Sequence, residues 1–239
     1  MKSFALLSFC GLLALSACGG CGGNPFAPER VSPDPDDSDV IGPGTEPAPP
    51  ATTPEQLMDN LTRAMRTRDK DLYESLLDKN FWFTEDNCLG EVEFNNGLEE
   101  ELEIMGGSRD GSQRGIFDKY RDFDFDFDLM DRKQELGSEY PESYPGDPDG
   151  HPDEDWEVFR GRVQMLLLDE NGDGFRVDQI MTYKLRLDPD DSLWKIVRWI
   201  NDPLGSGADC ASGASGASEA GKRSTNALSW AELKQKVAP

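Results

Sequence analysis

The sequence predicts an α+β domain in which helices come first and antiparallel hairpins follow. Two observations predict it. Apolar residues recur at helical spacing from Leu57 to Leu77, and from Asp122 onward the period changes to two, with hairpin turns between the runs. Helices followed by a run of hairpins are the α+β order, not the alternation of β and α units that builds a parallel sheet.

The elements follow in order. Thr53-Pro54-Glu55-Gln56 is a capping-box start with Pro in the first turn, and Leu57, Met58, Leu61, Ala64 and Met65 continue it as a helix. After Arg68-Asp69 a second short helix reads Leu72, Tyr73, Leu76, Leu77 and is expected to end at Asp78-Lys79-Asn80. Phe81-Trp82-Phe83 is strand-like. Leu98, Leu102 and Met105 predict a third helix, broken by Gly106-Gly107. Residues 122–129 alternate Asp and Phe, closing on Leu129, which predicts a strand with one apolar and one acidic face. Residues 137–155 read as a Pro/Gly/Asp loop. Strand patterns at 156–168, 175–187 and 193–201 are separated by turns at Asn171-Gly172-Asp173-Gly174 and Asp188-Pro189-Asp190-Asp191.

What flanks the domain is organised differently. Met1-Lys2 precedes the uncharged stretch Phe4–Leu15, too short to span a bilayer and suited to the apolar core of a signal peptide. Residues 18–53 are expected to be a disordered tether, since 24–53 hold eight of the sixteen prolines and cannot bury a core. The domain proper is 54–203. A Gly/Ser/Ala linker, 204–228, leads to a short C-terminal helix, 229–239, whose signal is the capping box Ser229-Trp230-Ala231-Glu232. Trp230, Leu233 and Val237 share one face of that helix, which is expected to dock on the domain. Lys234 and Lys236 fall where positive charge suits the helix dipole.

Charge narrows the functional classes. The 239 residues carry 47 acidic against 24 basic side chains, a net charge of −23, the opposite of a phosphate-backbone footprint, so no nucleic-acid partner is expected. One histidine excludes any scheme needing two from one chain. No cofactor motif is present.

Two resemblances add to this reading. Leu15-Ser16-Ala17-Cys18 resembles the lipobox of bacterial lipoproteins. It implies cleavage of residues 1–17, acylation of Cys18 and anchoring to a membrane through lipid; two or more chains hold stably where one does not. Gly19, not Asp, implies an outer-membrane destination. Residues 53–83, carried by Leu57, Leu61, Met65, Asp71-Leu72-Tyr73, Leu76-Leu77-Asp78 and Phe81-Trp82-Phe83, resemble the helical start of nuclear-transport-factor-2-like domains. The run Leu193 to Ile200 resembles their last strand. That resemblance implies a strongly bent antiparallel sheet wrapped around helices, a cone with an apolar interior.

Candidate sites are few. Some nuclear-transport-factor-2-like proteins are ketosteroid isomerases or polyketide cyclases, but no base of theirs maps onto this chain. His151 lies in a loop crowded with acids and is expected to be exposed there. The carboxylates of 122–128 are expected to meet bases on neighbouring strands (Arg160, Arg162, Arg176, Lys184, Arg186, Lys195, Arg198) rather than a metal. Asp169, Asn171 and Asp173 match the first half of a calcium loop, but the twelfth position, which needs Glu, is Ile180, so a plain hairpin turn is expected and a metal site is the alternative. Cys88 and Cys210 are the natural disulfide pair of an exported chain if Cys18 is acylated. The expected function is a non-catalytic binding or structural domain. The alternatives are an enzyme acting on a small apolar substrate in the cone and a calcium-assisted adhesion module. A buried carboxylate beside Tyr183 or Trp194 would mark the enzyme, and aromatic side chains filling the cone would mark the non-catalytic domain.

Overall fold

The computed structural model describes residues 47–86, 92–142, 149–202 and 225–237, all within one compact unit, 42–239. The lipobox, Cys88 and Cys210 lie outside the described residues, and with them the acylation and the disulfide.

The helices are α1 (Pro54–Thr67), α2 (Lys70–Leu76), α3 (Leu98–Gly106), α4 (Ile116–Lys119) and α5 (Trp230–Val237). The strands are β1 (Leu77–Asp86), β2 (Val92–Gly97), β3 (Asp122–Glu135), β4 (Trp156–Leu168), β5 (Gly174–Leu187), β6 (Trp194–Asn201) and β7 (Thr225–Ala227). Local chemistry explains the first turns. The Thr53 side chain accepts from Gln56 N–H at 3.1 Å, Pro54 opens α1, and Arg68 ends it in the left-handed conformation with φ 56°. Asp69 caps α2 by accepting from Leu72 N–H at 2.9 Å. That helix ends at Leu76 rather than at Asn80, because Leu77 is already a register partner of Ile196 in the sheet.

Among the described residues one sheet runs in the order β2-β1-β6-β5-β4-β3, with β7 beside β5. The α+β expectation holds, helices packed on a bent, mostly antiparallel sheet, with one difference. β1 pairs with β6 in parallel, and β7 with β5 likewise. The β4-β5-β6 meander sets the direction of β6, and β1 reaches it from α2 already running the same way. Register shifts between Leu129 and Asp131 and between Lys184 and Leu185 break the ladders where bulges increase the twist.

The apolar faces of the strands and of α1 meet in a single core. Leu57, Leu61, Ala64 and Met65 of α1 are fully buried, with Phe83, Phe125, Val163, Leu167, Tyr183 and Trp199 from the sheet. The last residues of the expected tether join this body. Ala51 is buried, its carbonyl accepts from Trp194 N–H at 2.8 Å, and the Pro49 carbonyl accepts from the Asn60 side chain at 2.7 Å. Among the described residues no helix is long and apolar enough to cross a membrane.

Candidate functional site

Two rungs cross the inner face of the sheet. Phe159, Tyr183, Trp199, Phe83 and Asn96 are successive register partners from β4 to β2. One pleat along, Gly161, Met181, Asn201, Glu85 and Phe94 form the next. The first rung turns polar at Asn96 on β2 and the second at Asn201 and Glu85 on β6 and β1, and α3 carries Glu101 to Asn96.

Glu101 is fully buried and accepts three hydrogen bonds. Tyr73 Oη donates to Oε1 at 2.6 Å, while Asn96 Nδ2 and Lys234 Nζ each donate to Oε2 at 2.6 Å. Lys234, from α5, has no exposed side-chain surface either. Its ammonium lies 3.5 Å from the Phe83 ring centroid, 5.2 Å from that of Trp199 and 5.4 Å from that of Trp230, within cation–π range. Burial brings the Lys234 ammonium down to about 8 from its usual range, against the opposing pull of the Glu101 carboxylate. Burial likewise raises the Tyr73 and Tyr183 phenols well above their ordinary value, with the Glu101 charge adding to it.

A second buried network ties α5 to the same face. Glu85 Oε2 accepts from Asn201 Nδ2 at 2.9 Å and from Gln179 Nε2 at 3.4 Å, and Asn201 Oδ1 accepts from Trp199 Nε1 at 3.1 Å. Gln179 Oε1 in turn accepts from the backbone N–H of Trp230 at 2.8 Å. The Trp230 ring packs 6.3 Å from both Phe123 and Trp199. The capping box is in place: Ser229 N–H donates to Glu232 at 2.8 Å and Glu232 N–H donates to Ser229 Oγ at 2.9 Å. So α5 fills the interior with Trp230, Leu233 and Lys234, all fully buried.

Both sequence markers are therefore met in altered form. The buried carboxylate stands beside Tyr73, with Tyr183 near it, whereas Trp194 is only partly buried at the start of β6. Aromatic side chains fill the same interior. A general base must reach its substrate's proton, and here Lys234 holds that place on Glu101.

Glu101 and Lys234 were not among the expected site residues, although their positions were readable. Glu101 lies three residues after Leu98 and four before Met105; Lys234 lies four after Trp230 and three before Val237. Each charge sits on its helix's apolar stripe. Lys234 lies in the last turn of α5, where the dipole favours positive charge, but its ammonium points inward to Glu101.

His151 is the second correction. It is buried, not exposed: its ring stacks between Tyr140 and Trp156 at centroid distances of 4.5 and 3.9 Å, and Nδ1 lies 2.7 Å from the Asp149 carbonyl oxygen. Trp156 begins β4 on the outer face, where Val158, Lys184 and Arg198 also point, so the flanking segment folds back to cover them. Beneath it Lys184 meets Glu135 and Asp149 at 3.0 Å each, and Arg186 meets Asp78 at 2.8 Å and Glu154 at 3.0 Å. His151 thus lies across the sheet from Glu101.

The acidic strand is neutralised differently from the expectation. Asp124 and Asp126 meet Arg66 of α1 at 3.5 and 3.8 Å, and Asp122 meets Arg121 at 2.8 Å. Arg162, opposite Asp128 in register, pairs with Asp178 at 2.7 Å instead. β3 is an edge strand, which leaves its acids open to a helix as well as to β4. In the 169–174 turn, Asp169 Oδ1 accepts from the N–H groups of Asn171 and Asp173 at 2.8 and 3.0 Å, and Gly172 takes φ +80°. That oxygen closes the hairpin. Among the described residues no cluster of three or more His, Cys, Asp or Glu is placed to hold a metal ion.

A groove of 690 Å³ opens between α2, α3 and the 106–113 loop, lined by Lys70, Tyr73, Glu99, Glu103, Asp110 and Phe117. Hydrogen bonds from Ser112 and Ser108 hold the Asp110 carboxyl down at about 2, fixing the loop rim.

The chain matches no protein-family model and no curated protein. It is similar to several solved structures. One is a conserved protein from Planctomyces limnophilus, at 12% identity and a TM-score of 0.42, covering 62% of this chain and 91% of the other. A nuclear-transport-factor-2-like protein of unknown function in nutrient uptake from Rhodospirillum rubrum matches at 16% identity and a TM-score of 0.36, covering 62% and 95%. A nuclear-transport-factor-2-like protein of unknown function from Shewanella oneidensis matches at 14% identity and a TM-score of 0.35, covering 62% and 94%.

Proposed function

We propose that this chain is a bacterial envelope lipoprotein, anchored through Cys18 and displaying a nuclear-transport-factor-2-like domain that binds or scaffolds rather than catalyses. The filled interior carries the non-catalytic reading: Trp230, Leu233 and Lys234 take the space a substrate would need, and Lys234 occupies the buried carboxylate. The anchor rests on Leu15-Ser16-Ala17-Cys18, with an outer-membrane destination supported by Gly19. Cys18→Ser should move the protein from the membrane to the soluble fraction and abolish incorporation of labelled palmitate. Unchanged fractionation would remove the anchor from the proposal.

A second reading is supported by one observation. Glu101 with Tyr73 Oη at 2.6 Å, inside an aromatic interior, is the kind of carboxylate an isomerase or cyclase uses on a small apolar substrate. It requires α5 to leave. Turnover of such a substrate by the intact protein, abolished by Glu101→Gln, would favour it.

A further inference from the structure

Glu101 is prepared for an ammonium by residues that do not belong to α5. Tyr73 on α2 and Asn96 on β2 each donate to one carboxylate oxygen, which fixes the plane of the group and leaves Oε2 room for one more donor. Phe83 on β1 and Trp199 on β6 present their rings to that donor. The receptor half is thus complete in the domain. α5 contributes the cation, its aliphatic stem and a third ring, Trp230.

From this we infer that the inner face around Glu101 is a binding site for a primary alkylammonium group, which Lys234 fills as a resident pseudo-ligand. The inference rests on the reading of the domain as a non-catalytic binding module and names its ligand class. Three features define the class. A carboxylate at 2.6 Å requires an N–H donor, which a quaternary ammonium lacks. The rings at 3.5–5.4 Å favour a cation over a neutral alcohol of the same length. The stem of Lys234 is wholly buried, so the ligand's carbon chain is unbranched and apolar.

The pseudo-ligand is also separable from the site. An eight-residue helix does not persist alone in water, so α5 is held by what it docks on. Bringing both charges of the pair out of water offsets much of their attraction. Along the chain α5 is joined to the sheet only through β7, three residues paired with the start of β5, so α5 can leave with β7 while β6 stays in place. An external amine and Lys234 therefore compete for Glu101.

Lys234→Ala in the full chain tests the chemistry, because it removes three carbons and the ammonium, the fragment n-propylammonium replaces. Adding n-propylammonium chloride to this variant should raise its unfolding midpoint by about 3–6 °C at ten times Kd, and with the logarithm of concentration beyond that. Equal concentrations of tetramethylammonium chloride or n-propanol should give less than a third of that rise, and Glu101→Gln/Lys234→Ala should not respond to the amine. If Lys234→Ala is unfolded alone, the same titration reads as recovery of its circular-dichroism signal. No response to the amine, an equal response to tetramethylammonium or propanol, or a response that survives Glu101→Gln would overturn the assignment. Failure here leaves the Cys18 anchor and the non-catalytic reading standing, since those are read by fractionation and turnover.

Discussion

Lys234 Nζ stands 2.6 Å from Glu101 Oε2, and neither side chain has any exposed surface. One partner comes from the third helix and the other from the last, 133 residues later. The pair therefore joins the C-terminal segment to the interior. A buried pair of this kind adds little net stability, because desolvation offsets its Coulomb energy.

A double-mutant cycle should separate the two effects. Glu101→Gln and Lys234→Met should each destabilise by about 3–5 kcal/mol, since each leaves a buried charge without its partner. The double variant should return to within about 1–2 kcal/mol of the parent, because Gln still accepts from Tyr73 and Met fills the Lys volume. Denaturant unfolding checks this. Additive single effects would show that the two residues are not coupled.

The titration of Lys234 gives a pH signature. Its ammonium loses its proton at about 8 in the fold and at about 10.4 in an unfolded chain. Below about 8 both states hold the proton. Between about 8 and 10.4 the unfolded chain binds more protons, so the contribution of this group to stability rises with pH across that window. Carbon and nitrogen chemical shifts of the labelled Lys234 side chain should show the midpoint near 8. The stability of the parent minus that of Lys234→Met should increase from pH 8 to 10. A midpoint near 10.4 would place the ammonium in water.

Gly161 should not tolerate a methyl group. A Cβ there would lie 2.4 Å from the Phe127 ring and 2.5 Å from the Asp128 carbonyl oxygen on β3. Gly161→Ala should cost about 1–3 kcal/mol by overpacking, read from the denaturant midpoint. Gly172→Ala, with open space around it but φ +80°, should cost less, about 1 kcal/mol, from backbone conformation alone.

His151→Ala should destabilise by about 1–3 kcal/mol, within the range of core truncations, by removing the ring between Tyr140 and Trp156. With Trp156 opened to water, the tryptophan emission should shift to the red. It should leave the amine response of Lys234→Ala intact, because His151 lies on the other face of the sheet.

The sequence by itself determined the long elements and their faces, but not the short β2 and α4, nor β7, which forms within the expected 204–228 linker. Alternation in Asp122–Leu129 and in the three later strands was enough to assign β3 to β6, because a pleat sends successive side chains to opposite sides. The N-cap at Thr53 and the capping box at Ser229 were legible because both are local chemistry within four residues, although the Gln56 side chain turns to Asn60 and leaves the first box half formed. Non-local pairings were not legible. The parallel register of β1 with β6 and the reach of α5 into the interior join segments more than a hundred residues apart, and no short window records them. His151 shows the same limit: its loop composition reads as solvated, and only the outward-facing Trp156 gives it a surface to stack on. Glu101 and Lys234 lay in view, each on an apolar stripe. What tertiary structure alone decided was that the two stripes face each other, so that charges costly to bury singly are buried as a pair.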